Sequence, residues 1–204
     1  DLHRRRHSFP TRRSSDLVAL SARVFGDTPS LLAVNPGGKV FLRSFETDKK
    51  SMQPLNFPGN TSMIAAGSLF PNVTREVLII ASHDSLTAFD LFDNRELFYK
   101  DVLDGVTAIK TGFHGKDVSP LLFVGSNCSI QGFDHEGNER YWNITPDNVL
   151  SIALLDIDDD NSYELLTGCE DGQLVVFKDS NIMYEIDLHA PVISLCSFGI
   201  RVFG

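Results

Sequence analysis

Cysteine is scarce in this chain: among 204 residues there are three, Cys128, Cys169 and Cys196. None forms a CxxC pair and the number is odd, which argues against a disulfide framework or a cysteine-held zinc. Buried or semi-buried thiols in a reducing compartment are expected. No apolar run reaches the roughly 20 residues that a membrane-spanning helix needs. The sequence has no G-x-S-x-G, P-loop, G-x-G-x-x-G or zinc-ligand spacing, which removes the usual sequence support for hydrolytic, nucleotide-driven or dinucleotide-dependent chemistry. Histidines 83, 114, 135 and 189 lie far apart, and turn or surface positions are expected for them. The single tryptophan, Trp142, stands one period after Tyr99, and a core position between repeats is expected for it. No catalytic constellation emerges, so the chain reads as a non-enzyme that requires no cofactor.

Positive charge is also scarce outside one place. The opening DLHRRRHSFPTRRSSDL holds five arginines against Asp1 and Asp16, a net of +3 in a chain whose total is −9, so residues 18–204 carry −12. An acidic body offers no basic stripe to neutralise phosphates, and nucleic-acid binding loses its main energetic contribution. The arginine-rich head lacks the amphipathic apolar face of a transit peptide. Its stretch HSFPTRRSSDL resembles the in-frame translation of a common short-read sequencing adapter, and residues 1–17 are therefore set apart from the fold as an adapter artefact. Four N-x-S/T sequons, at Asn60, Asn72, Asn127 and Asn143, would suit a secreted protein, but among eleven asparagines one or two arise by chance.

What the sequence does have is a repeat. Val106-Thr-Ala-Ile, Val149-Leu-Ser-Ile and Val192-Ile-Ser-Leu are spaced 43 residues apart, and Met63-Ile-Ala-Ala stands 43 before the first. Each opener is followed by a second apolar run: Leu31-Leu-Ala-Val, Leu78-Ile-Ile-Ala, Leu121-Leu-Phe-Val and Leu165-Leu-Thr-Gly. Turn signals NPGG, SHDS, GSNC and CEDG come next, rich in residues that tolerate positive φ or bond their own backbone. Third strands KVFLRSF, LTAFDLF, SIQGFDH and QLVVFKD follow, and fourth strands are predicted around Glu96-Leu-Phe-Tyr, Arg140-Tyr-Trp-Asn and Ile182-Met-Tyr-Glu. In this register Gly125-Ser-Asn-Cys128 is a chain reversal and not a nucleophile. Four short strands per period of about 43 residues are the mark of a WD40-like β-propeller blade. A β-sandwich also has short strands, but it does not require the recurrence. Residues 18–204 are thus predicted to form an incomplete propeller domain of four blades and the opening strand of a fifth.

One loop departs from the repeat. Asp156-Ile-Asp158-Asp-Asp160-Asn-Ser162-Tyr-Glu164 has the pattern D-x-D-x-D-x-x-x-E between the first and second strands of its blade. Alternating carboxylates on a tight loop can converge on one centre, which is how a hard cation such as Ca²⁺ gathers oxygen ligands. Asp156, Asp158, Asp160 and Glu164 would bind through side chains and Ser162 through its carbonyl, with Asn161 where such loops usually carry glycine. A solvated acidic turn explains the same residues. Any ion here would rigidify the loop rather than catalyse.

The run from Pro120 to Asp179, with GSNCSIQGFDHEGNERYW and DNVLSIALLDIDDDNSYELLTGCEDG, resembles the amino-terminal propeller of the Bardet–Biedl syndrome 2 family of BBSome subunits. Weaker similarity extends from VALSARVFGD through NPGGKVFL and LFYKDVLDGVTAI to VISLC, so it covers essentially all of 18–204. The resemblance implies a seven-bladed ring in a non-catalytic scaffold of the BBSome, a coat-like complex carrying membrane proteins to and from cilia. It further implies hetero-oligomeric contacts with sister subunits, indirect membrane association through an Arf-like GTPase, and residence in cytoplasm, cilium and basal body or centriolar satellites. The rival class is a secreted or cell-surface calcium-binding propeller of the integrin kind, motivated by the acidic loop and the sequons.

Overall fold

The computed structural model of the chain describes residues 18–25, 29–35, 37–44, 53–57, 60–71, 73, 75–117 and 119–197. The adapter-like residues 1–17 lie outside the described residues. Sixteen strands and no helix occur among those described. They form four separate four-stranded antiparallel sheets, each an up-and-down meander whose strands pair in chain order. Sheet 1 holds β1 (Val18–Ala22), β2 (Ser30–Val34), β3 (Val40–Ser44) and β4 (Gln53–Pro54). Sheet 2 holds β5 (Met63–Gly67), β6 (Val77–Ala81), β7 (Ser85–Asp90) and β8 (Arg95–Asp101). Sheet 3 holds β9 (Ala108–Gly112), β10 (Leu121–Ser126), β11 (Ser129–Phe133) and β12 (Glu139–Ile144). Sheet 4 holds β13 (Val149–Leu155), β14 (Glu164–Cys169), β15 (Gln173–Lys178) and β16 (Asn181–Asp187).

The first strands of successive sheets lie beside one another, β1 by β5, β5 by β9 and β9 by β13, while the fourth strands form the outer edges. This is a propeller arrangement of four blades. The hydrophobic cores sit between consecutive sheets. Leu32, Val34 and Val40 of sheet 1 meet Ile64, Leu78 and Ile80 of sheet 2. Ile79, Leu86 and Phe98 of sheet 2 meet Leu122, Val124 and Phe133 of sheet 3. Phe123, Ile130 and Tyr141 of sheet 3 meet Leu154, Leu165 and Phe177 of sheet 4. A second strand therefore has a neighbouring sheet on each face, which is why VLIIA in β6 and LLFVGS in β10 are buried at every residue. The third strand β7 keeps the half-buried alternation of period 2.

Successive blades are also pinned by polar contacts beside the axis. Thr107 Oγ1 donates to Gly125 O at 2.9 Å and to Val149 O at 2.5 Å, joining sheets 3 and 4. Gly125 is required there for space: a Cβ on it would lie 2.6 Å from Val149 Cγ1. Val192 repeats the docking one blade later, its N–H donating to Cys169 O at 3.0 Å and its carbonyl accepting from Ser151 Oγ at 2.6 Å.

Four expectations are corrected. Residues 191–197 form no strand, because none of the described residues offers them a ladder partner beyond these docking bonds. Trp142 is 51% exposed, as is Tyr99 at 52%, because strand alternation turns the preceding residues Tyr141 and Phe98 inward instead. His114 is buried between sheets 3 and 4 rather than on the surface. Of the thiols, Cys169 is buried, whereas Cys128 and Cys196 are exposed.

Candidate functional site

The acidic loop joins β13 to β14. Asp156 follows the last residue of β13 and organises the turn: its Oδ1 accepts from Asp160 N–H at 3.1 Å and its Oδ2 from Asn161 N–H at 2.8 Å. Asp159 and Asn161 take positive φ, 61° and 62°, a region that Asn and Asp enter more readily than other non-glycine residues. Asn161 thus supplies the left-handed residue for which the pattern usually uses glycine. Asp160 Oδ1 accepts from Ser162 N–H at 2.8 Å. Glu164 begins β14 opposite Leu155 and is fully buried, with Oε2 accepting from Ile157 N–H at 2.8 Å.

Carboxylate oxygens of Asp156, Asp158 and Glu164 all lie within 4.8 Å of one another. Asp160 and Ser162, the other two residues singled out in the sequence, are not part of that cluster. The carboxylate of Asp160 is taken up by an ammonium that sequence reading missed. Lys178 Nζ, from the end of β15, stands 2.5 Å from Asp158 Oδ2, 2.8 Å from Asp160 Oδ2 and 3.5 Å from Glu164 Oε1. The hydrogen bonds to Asp158 and then to Asp160 hold the Lys178 ammonium well above its ordinary pKa. The same lysine holds the Asp160 carboxyl below the usual carboxylate range.

A buried histidine fixes the far side of the loop. His114 Nδ1 lies 3.1 Å from Tyr163 O and Nε2 lies 3.0 Å from Asp179 O. Both partners are carbonyls, which only accept, so one ring nitrogen donates in either neutral tautomer and both donate in the imidazolium. The ring stands edge-on to Phe123 and Tyr141, at centroid distances of 5.8 and 4.9 Å. Gly115 N–H donates to Tyr163 O at 2.9 Å beside it. The blade-3 loop thereby ties the C-terminal side of the acidic loop to the turn after β15.

The repeat shows how unusual blade 4 is. Strand registers place Asp90, Asp134 and Lys178 at equivalent positions, each following the matched phenylalanines Phe89, Phe133 and Phe177. Asp90 pairs at 2.7 Å with Arg75 from the loop between β5 and β6. In blade 4 the same two locations carry the opposite polarity, lysine on the third strand and carboxylates on the loop. Asp134 pairs instead with Arg140, at 2.7 Å.

Comparison with known proteins decides the family. Residues 21–112 match the family described as Ciliary BBSome complex subunit 2, N-terminal, and residues 151–204 match the middle region of the same subunit. The chain belongs to the BBSome subunit 2 family. BBSome complex member BBS2 of Rattus norvegicus is 38% identical over 94% of this chain, and that of Homo sapiens 37% over 94%. The Caenorhabditis elegans member bbs-2 is 31% identical over 77% of the chain. The chain spans 28% of the length of the rat and human proteins. Among solved structures, BBS1N in complex with ARL6DN, soaked with lead, superimposes with a TM-score of 0.68 over 85% of this chain and 57% of its own, at 16% identity. That likeness places this BBSome subunit 2 relative in the propeller fold, and the acidic loop falls inside the middle-region match.

Proposed function

We propose that the chain is the propeller part of a BBSome subunit and acts as a non-catalytic scaffold in a complex that carries membrane proteins to and from cilia. The observation that carries this reading is the match of two segments of one chain to two consecutive regions of the same subunit family. Residues around the blades support a binding rather than a reacting surface: the outward-facing Trp142, Ile144, Ile182 and Tyr184 offer apolar and aromatic contact area on outer strands. Partners are the other BBSome subunits, and membrane association follows indirectly through the assembled complex. A propeller of the same fold, BBS1N, has been solved with ARL6DN bound, which supports the use of such blades for protein contacts. Residues 1–17 are adapter-derived in this reading, and amplification of the transcript's 5′ end should return no codons for HSFPTRRSSDL.

The test is reconstitution. The full-length chain, co-expressed with the remaining BBSome subunits of its organism, is expected to co-elute with them in fixed stoichiometry, and a fluorescent fusion should concentrate at basal bodies and in cilia. Assembly of the other subunits with this chain left in a separate peak would overturn the proposal.

A further inference from the structure

Glu164 is misplaced for a repeat. In register it occupies the site held by Val77 in sheet 2 and Leu121 in sheet 3, both buried and apolar. Its side chain has 0% exposure, yet Oε1 has no hydrogen-bond donor. The nearest cation, Lys178 Nζ, stands 3.5 Å away, beyond hydrogen-bonding distance for a charged donor. A buried carboxylate is tolerated when it is paired and hydrogen-bonded, and removing either condition is costly. Acidic groups also outnumber basic ones here. Around this point four carboxyl groups, those of Asp156, Asp158, Asp160 and Glu164, meet the single ammonium of Lys178 and the more distant Lys116. In blade 2, by contrast, one guanidinium faces two carboxylates, those of Asp90 and Asp93.

We propose that Asp156, Asp158 and Glu164 bind one Ca²⁺ and that Lys178 is the internal cation which this ion displaces. The donor set suits a hard cation that accepts several carboxylates. Ca²⁺ takes oxygens at about 2.3–2.6 Å, so two ligands on opposite sides stand up to about 5 Å apart, and a trio within 4.8 Å fits one ion. Mg²⁺ demands near-ideal octahedral geometry and gives up its waters reluctantly, so a cluster of protein carboxylates suits it less well. Glu164 Oε1, without a hydrogen-bond donor and facing the Lys178 ammonium, supplies the unshared lone pairs. Lys178 is 31% exposed, and its flexible stem can withdraw the ammonium to solvent, releasing Asp160 at the same time. The result is an exchange of one positive charge for two within the loop, which ties β13, β14 and the end of β15 together without any catalytic role.

The test is calorimetric titration of the EGTA-stripped full-length chain with CaCl₂ and, separately, MgCl₂. One equivalent of Ca²⁺ is expected to bind, more tightly than Mg²⁺. Lys178→Met should tighten Ca²⁺ binding by about tenfold or more, since the competing charge is gone. Asp158→Asn, at an exposed residue that leaves the core intact, should weaken it by about tenfold. Absence of binding in both the parent and Lys178→Met, with circular dichroism showing both folded, would overturn the proposal. Equal Ca²⁺ affinity in the parent and Lys178→Met would equally overturn the role of the lysine, and equal affinity for Mg²⁺ would overturn the choice of metal.

Discussion

Gly125→Ala should loosen the joint between blades 3 and 4. Gly125 is not in the positive-φ region, so alanine meets no backbone strain there and the effect is one of space alone. An added Cβ would lie 2.6 Å from Val149 Cγ1, 2.7 Å from Val149 Cβ and 3.3 Å from Ala108 Cβ. Two of these are closer than real Cβ contacts, and Val149 is itself fully buried, so the first residue of β13 must move away from β10. Overpacking of this kind costs about 1–3 kcal/mol. Against that, replacing glycine with alanine stiffens the unfolded chain and returns about 0.4–1 kcal/mol. The net destabilisation is about 1–2 kcal/mol, which for a domain of this size lowers Tm by roughly 2–8 °C. Gly37→Ala is the matched control, because the only atom near its new Cβ is Asn35 Oδ1 at 3.4 Å. It should leave Tm unchanged or raise it slightly. Differential scanning calorimetry of the full-length chain reads both, and hydrogen exchange should locate the loss at the β10 and β13 amides. Equal shifts for Gly125→Ala and Gly37→Ala would refute the idea that close approach at Gly125 joins the blades.

Three further outcomes follow from the same contacts. Burial opposes ionisation of Asp134, but hydrogen bonds from Asn138 N–H, Arg140, the Asn138 side chain and Glu136 N–H outweigh it and hold its pKa below the ordinary 3.8. Its contribution is therefore present above about pH 4 and is lost as pH falls through the lower folded value, so Asp134→Asn should flatten the acid limb of a urea-midpoint profile. His114→Ala removes the ring that bridges Tyr163 O and Asp179 O and should cost about 1–3 kcal/mol, with faster amide exchange at Gly115 and no change in β7 or β8. Burial pushes the Cys169 thiol up to about 11, so iodoacetamide at pH 8 should label Cys128 and Cys196 in the folded chain and spare Cys169.

The strands were legible because each carries a signal that tertiary packing reinforces. The second strands read as continuous apolar runs, and they are the strands covered on both faces; among the third strands β7 alternates, while β3, β11 and β15 are announced by turns whose φ is positive at Gly38, Cys128 and Gly172. β4 was not legible, since two residues, one of them proline, hold no pattern. Trp142 was misread because aligning it with Tyr99 gives the right register but not the face, and only the pairing of Gly132 with Tyr141 settles which neighbour turns inward. The carboxylates of the acidic loop could be read from their spacing, whereas Lys178 lies in another strand, and the buried state of Glu164 depends on a register invisible in the motif itself. One signal was available: Asp90, Asp134 and Lys178 are 44 residues apart, and the reversal of charge at the third repeat marks the lysine.

That reversal has a cause in the turns. Asp90 and Asp134 each cap the reversal into the fourth strand, accepting backbone N–H groups from Phe92 and Asp93 in one blade and from Glu136 and Asn138 in the next. These turns are long, β7 ending at Asp90 with β8 starting at Arg95, and β11 ending at Phe133 with β12 starting at Glu139, so their inner amides require an acceptor. In blade 4 the reversal shrinks to Asp179-Ser180, with Asp179 at φ 53°. Such a short hairpin meets its hydrogen bonds through the ladder itself and needs no capping carboxylate. Position 178 is thereby freed from the turn, and a lysine there can reach across to the β13–β14 loop. The acidic loop and the short turn are thus two halves of one local change to the repeat, which brings the Lys178 ammonium to 3.5 Å from the buried Glu164 carboxyl and within 2.8 Å of Asp158 and Asp160.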